Sequence, residues 1–329
     1  MRLLSALVIV AVLVPIAAAA PVPGDSNAQY KVLIIDGQNN HNWRETTPVM
    51  KKLLEGSGRF TVEVATTAQE PALPAKPTKP DPASTEKYRT ALFNYADEYS
   101  LYLRTRDAFR PPIETFDAVI LNYNGEPWPA PFNDALDEYV KTGKGGLVIV
   151  HAANNAFGNW KQFNQMIGMG WRGNGGGDRL FLDDAGKEVR VVSGKGDSSG
   201  HRYVGPFTIT VRNAEHPITK GMPREWLHVR DELYDNMRGP IENVQVLATA
   251  YSDKAKSGTG VHEPMIWTVA YGKGRVFHTP MGHDASAMRC QGFAATLRRG
   301  TEWSATGAVT IPLPKEFPSA DKTAPIPEK

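Results

Sequence analysis

His151 follows the apolar run Gly146–Val150 directly and is followed by two alanines, Ala152 and Ala153. A strand that ends, turns tightly through small residues and enters a helix is the geometry of a nucleophile elbow, and here the elbow holds an imidazole. Near neutral pH that group serves as a general base, a general acid or a metal ligand, and it makes a poor stored nucleophile. Asp231 and Glu232, followed by Leu233 and Tyr234, form the other compact cluster of note. Neighbours on an extended segment point to opposite faces, so one carboxylate faces the pocket as partner to His151 and the other pairs with a base such as Arg230. His283, in Gly282-His283-Asp284, adds a catalytic, substrate or metal contact. No local His-x3-His or His-x4-Asp spacing marks a metal site. A divalent cation is therefore possible only if distant residues such as His151, Glu232 and His283 assemble it, and the cofactor stays open. Cys290, the only cysteine, precedes a helix rather than sitting on an elbow, and is expected to be a small buried residue.

In an open parallel sheet, ligands bind outside the carboxyl ends of the strands. The polar residues that follow each apolar run are thus the ones to examine. After Lys31–Ile35 come Asn39, His41, Asn42 and Trp43; after Ala118–Leu121 come Asn122, Tyr123 and Asn124. After Gly146–Val150 come His151, Asn154 and Asn155, and after Arg275–Thr279 come His283 and Asp284. Amides, carboxylates and aromatic faces are what a hydroxyl-rich ligand needs. The expected sugar contacts are His41, Asn42, Trp43, Asn122, Asn154 and Asp284. Trp43, Trp128, Trp160 and Trp171 lie on or near this edge, as stacking platforms or as core lids. His278 sits within a strand and reads as packing, whereas His201, His228 and His262 lack a pattern. The glycines near Gly175 follow no strand and open no helix, so they make a weak phosphate cradle.

The elements that must position these groups alternate. Helical spacing at 48–55, 131–140 (with Asn133 expected as its cap) and 292–303 falls between strand-like runs at 60–64, 118–121, 146–150, 244–249, 264–270 and 275–279, with a tight turn at Tyr271-Gly272-Lys273-Gly274. Such alternation predicts an α/β fold, a mostly parallel sheet with helices on both faces. Two segments interrupt it. Residues 71–106 form an insertion, in which prolines at 71, 74, 77, 80 and 82 precede a helix-rich arm. Trp171–Gly200 is expected to be a mobile loop, with short strands near 188–192 and 207–211. Residues 306–329 read as a loose tail.

The first 20 residues look like a secretory signal peptide: Arg2, an apolar run from Leu3 to Ile16, then Ala17–Ala20 as a cleavage site. That run is shorter than the ~20 residues a bilayer-spanning helix needs, which makes an uncleaved anchor the weaker alternative. Residues 21–29 form a flexible leader. Export to the periplasm or beyond, with no membrane contact after cleavage, is the expectation. A net charge of +2 from 37 basic and 35 acidic residues gives no case for nucleic acid or an anionic membrane surface. A small, roughly neutral partner is expected, and oligomeric state is not legible.

The order His41-Asn42-Trp43, Gly145–His151, His216-Pro217-Ile218-Thr219, Asp231–Tyr234, Pro264–Trp267, Gly272–Phe277, Gly282-His283-Asp284 and Arg299-Gly300 with Trp303 resembles the trehalose-utilisation (ThuA-like) family over roughly residues 30–305. The resemblance implies a flavodoxin-like sheet similar to that of class I glutamine amidotransferases, with their cysteine replaced here by His151. It also implies catabolism of trehalose-like disaccharides, including keto-glycosides. A non-catalytic carbohydrate-binding protein would use the same edge. The family's catalytic residues are not fixed, so none transfers directly. Two departures, the 71–106 insertion and His278 at a tyrosine-like position, bear on substrate size and specificity.

Overall fold

The computed structural model describes residues 29–327; the expected signal peptide and nearly all of the leader lie outside them. In the first half, strands and helices alternate: β1 (Tyr30–Asp36), α1 (Trp43–Glu55), β2 (Phe60–Thr66), α2 (Pro82–Asp107), β3 (Ala118–Leu121), α3 (Ala130–Lys141), β4 (Gly146–Val150) and α4 (Lys161–Ile167). The second half carries β5 (Asp178–Leu182), β6 (Glu188–Val191), β7 (Gly200–Val211), β8 (Glu225–Asp235), β9 (Arg238–Gly239), β10 (Val244–Tyr251), β11 (His262–Tyr271), β12 (Gly274–Thr279), α5 (Ala285–Met288) and α6 (Gln291–Thr306).

All twelve strands join one sheet, whose main path runs β2-β1-β3-β4-β12-β11-β10-β7-β8. The core from β2 to β12 is parallel, and β11, β10, β7 and β8 continue it antiparallel. The parallel expectation therefore holds for the core strands alone. The strand alternation feeds two cores. Val32 and Ile34 of β1, Ile120 of β3 and Val148 of β4 face one way, against Met50 and Leu54 of α1 and Phe293 and Leu297 of α6. Leu33, Ile35, Val119 and Leu147 face the other way, against Leu136 and Val140 of α3 and Phe163 and Ile167 of α4. Each such leucine or isoleucine contributes roughly 2 kcal/mol by leaving water. Burial on both faces is why these strands read as continuous apolar runs.

Three expectations need correction. The segment after Trp171 is not a mobile loop: Asp178–Leu182 pairs with β6, β9 and β11. The tail is not loose either. Glu302 is buried, and its carboxylate accepts from Arg59 and from the backbone N–H groups of Thr310 and Ile311, at 2.8 and 3.0 Å. Ile311 and Ile326 pack on the core, and Pro325 bridges to Cys290. Asn133, expected to cap α3, lies inside its first turn and donates to the Trp128 carbonyl, while Pro129 holds the cap position. The insertion forms the long helix α2, started by a reciprocal Asp81–Ser84 capping box with Pro82 next to it. Only Tyr102 of that helix is buried.

Candidate functional site

Four side chains meet at the rim, three from the exits of β1, β4 and β12 and one from within β8. The chain leaves β1 through Gly37, whose φ of +117° and a would-be Cβ 2.3 Å from Thr67 Oγ1 leave room for glycine only. It then places His41 just before α1. His151 follows β4 with φ +48°, a left-handed conformation that costs a β-carbon-bearing residue energy. Glu232 lies on β8. His283 follows β12 after Gly282, which turns at φ +100°.

His41 Nε2 lies 3.3 Å from His151 Nε2 and 3.9 Å from Glu232 Oε2. Glu232 Oε2 is 3.5 Å from His151 Nε2 and 3.2 Å from His283 Nδ1. One donor atom from each of the four falls within 4.8 Å of the others, so the set could hold a metal ion. The rings of His41 and His151 meet edge-on, as do those of His41 and His283, with centroids 4.6 and 4.7 Å apart. His151 Nδ1 is fixed by the Pro280 carbonyl at 2.7 Å and His41 Nδ1 by Asn39 Oδ1 at 3.3 Å.

Burial alone would raise the Glu232 carboxyl, but the imidazoles of His151, His283 and His41 outweigh it and hold the group far below the ordinary carboxylate range. The Glu232 carboxylate lifts His283 above an ordinary imidazole against the effect of burial. Burial pushes His41 down, and Glu232 offsets this only in part.

The other expected site residues serve different ends. Asp231 is buried with its carboxylate turned away from the cluster. It pairs with His228 at 2.8 Å and accepts from the N–H groups of Gly282 and His283 at 2.7 and 3.1 Å. It positions the His283 turn. Asn122, expected to grip sugar, is buried and spends its amide on Thr46 and Thr47, at 3.0 and 2.9 Å. Asn154 is fully buried between His278 and the Trp171 N–H. Asp284 caps α5 through the Ala287 N–H at 2.7 Å. Asn42 is exposed beside the cluster, and Trp43 lies half-buried under the Arg44 guanidinium. Trp128 is a core lid packed on Tyr123 and Phe157.

Three contributors were not singled out from sequence. Tyr234 donates its hydroxyl to His151 Nε2 at 3.2 Å, and Trp171 packs on its ring. His201 Nε2 approaches Glu232 Oε1 at 3.7 Å from the open side. Asn39 orients His41. The strand period carried a signal for Tyr234, which stands two residues from Glu232 and so on the same face. A groove of about 900 Å³ between α1 and α6, lined by Val49, Leu53, Arg298 and Ile326, includes none of the four cluster residues.

His278 shows how the same residue type is used for packing. Its ring lies on Trp267 with centroids 3.8 Å apart, Nδ1 donates to the Ile167 carbonyl and Nε2 accepts from Asn154. Burial pushes it down to about 3. Stability from this neutral histidine is complete above the unfolded value near 6.5 and is lost as pH falls toward 3, by roughly 2 kcal/mol at pH 5. Imidazole ¹⁵N–¹H correlation at pH 5 is expected to show an unprotonated His278 Nε2; a doubly protonated ring would contradict this packing.

A parallel α/β core with a strained residue at the exit of β4 defines a glutamine amidotransferase-like fold, here with histidine at the elbow and a His–Glu cluster around it. The profile of the ThuA family, described as trehalose utilisation, matches residues 92–304, and the chain belongs to that family. A crystal structure of a ThuA-like protein from Parabacteroides merdae ATCC 43184 is 37% identical, with a TM-score of 0.76 over 90% of this chain and 97% of that one. A second, from Bacteroides uniformis ATCC 8492, is 19% identical with a TM-score of 0.52, over 89% and 97%, and shows the fold. No curated protein matches the chain. Family membership supports a carbohydrate-related role.

Proposed function

We propose that the chain is an exported enzyme of glycoside or keto-glycoside catabolism, acting on trehalose-like disaccharides, whose reacting centre is the His41–His151–Glu232–His283 cluster. One observation carries this: three strand exits and the strand β8, far apart in sequence, deliver three imidazoles and an ionised carboxylate to one point at the rim. Structural histidines are usually spent singly, as His278 is. Here His151 is held in a strained backbone conformation with Nε2 turned into the cluster, an arrangement that packing alone does not require. Trp171 and His201, backed by the buried Tyr234 ring, form an aromatic wall beside it, suited to the C–H face of a sugar ring. The apolar N-terminal run directs export, and the substrate is a small, neutral, hydroxyl-rich molecule.

The test is a screen of oxidised and unoxidised disaccharides with purified protein, comparing wild type with Glu232→Gln. Turnover of at least one sugar is expected, falling by about 10²-fold or more in the variant, as for loss of a group at a reacting centre. Saturable sugar binding without product would replace the enzyme by a carbohydrate-binding protein. Full turnover by the variant would move the reacting centre elsewhere.

A further inference from the structure

The cluster brings together more hydrogen-bond acceptors than it has protons to satisfy. His151 Nδ1 faces the Pro280 carbonyl at 2.7 Å, so Nδ1 carries the proton and Nε2 a lone pair. His41 Nδ1 faces Asn39 Oδ1 in the same sense, at 3.3 Å. Two lone pairs therefore meet at the 3.3 Å separation of the Nε2 atoms. The acceptor Glu232 Oε2 lies beside both, 3.5 Å from one and 3.9 Å from the other. The Tyr234 hydroxyl supplies a single proton, to His151. His283 Nδ1 is buried with no hydrogen-bond partner in line, although Glu232 Oε2 is 3.2 Å away. Converging acceptors that lack donors repel one another unless a cation lies between them.

The spacing has the scale of a coordination shell. Ligands bonded at ~2.0–2.1 Å in tetrahedral geometry stand ~3.3–3.4 Å apart. Of the six pairs, those at 3.2, 3.3 and 3.5 Å match that edge, one at 3.9 Å is wider, and all lie within 4.8 Å. Three imidazoles and one carboxylate form a nitrogen-rich donor set. Calcium and magnesium take oxygen ligands, whereas late first-row dications favour imidazole. The outer partners also fit, because metal-bound histidines commonly donate their other ring N–H to a carbonyl or a similar acceptor.

We propose that His41 Nε2, His151 Nε2, Glu232 Oε2 and His283 Nδ1 bind one transition-metal dication, zinc being the best match to the donors. This deepens the proposed function, on which only the role of the ion toward sugar rests; the binding itself stands on the cluster alone. It makes His151 a ligand rather than a free base.

The full chain is stripped with chelator and titrated with zinc chloride by calorimetry, with metal content measured by elemental analysis. One zinc per chain is expected, with affinity falling about 100-fold or more in His41→Ala and in Glu232→Gln, and about 10-fold in the second-layer variant Asn39→Ala. His41 sits on a half-buried loop, so His41→Ala tests binding with the fold intact, as unchanged circular dichroism would confirm. Cobalt in place of zinc should give the intense visible bands of a four- or five-coordinate site. Sub-stoichiometric binding, or binding equal in wild type and both ligand variants, overturns the proposal. Stoichiometric zinc in a protein that turns over no sugar supports the metal site and removes the enzyme. Turnover by fully stripped protein supports the enzyme and removes the ion's role toward sugar.

Discussion

His151→Gly and His151→Ala are both expected to lose turnover by about 10²-fold or more, and of the two the glycine variant should be the more stable. Both remove the imidazole from the cluster, and both lose its 2.7 Å contact with the Pro280 carbonyl. They differ at the backbone. At φ +48° an alanine keeps the left-handed strain that His151 bears, whereas glycine adopts this conformation freely. Alanine normally exceeds glycine by ~0.5–1 kcal/mol within regular elements, so a glycine advantage of about 1 kcal/mol inverts the usual order. Chemical unfolding of the two variants, beside turnover on the best disaccharide, checks both halves. Equal activity to wild type would mean the elbow is not functional, and an alanine variant more stable than glycine would mean it is not strained.

The second large effect is on stability. Asp231→Ala is expected to cost about 3–5 kcal/mol, on the order of 10 °C in Tm. Burial pushes His228 down, but the Asp231 carboxylate, with Cys290 behind it, outweighs this and lifts it to about 9. Removing Asp231 leaves the buried His228 ring without its partner and forces it to give up its charge. It also leaves the N–H groups of Gly282 and His283 without their acceptor, loosening the turn that aims His283 at the cluster. Asp231→Asn keeps an acceptor and should fall between. Adding His228→Gln to Asp231→Asn should recover part of the loss, because no buried ring then has to give up a charge. Calorimetric Tm values for the series decide it, and a Tm unchanged in Asp231→Ala would show that the pair is not an anchor.

How much of this was visible in the residues follows from what each depends on. The parallel core was legible because burial on both faces gives β1, β3 and β4 unbroken apolar runs, and strand exits then point to one rim. His41, His151, Glu232 and His283 could be named on that basis. β7 and β8 were less legible: they pair antiparallel with each other at the sheet's far edge, carry polar residues such as His201, Arg202 and Arg230, and shift register between Gly205 and Phe207. Their pairing is fixed by contact rather than by local period. Polar type at the rim also proved ambiguous. Asn122 and Asn154 sit where a sugar contact would, yet Thr46 and Thr47 in one case and His278 in the other consume their amides, and spacing does not tell an amide facing a neighbouring loop from one facing a cleft. The tail misled through composition, since one buried carboxylate, Glu302, is enough to hold residues 310 and 311 in place.

The most direct test of the central claim is a crystal structure of the metal-loaded protein with a thio-linked disaccharide that resists turnover. The sugar should lie on the Trp171 and His201 side, with an oxygen within hydrogen-bonding distance of the Tyr234 hydroxyl and beside the four-residue cluster. A sugar ordered instead in the groove between α1 and α6, with His41, His151, Glu232 and His283 untouched, would contradict the account.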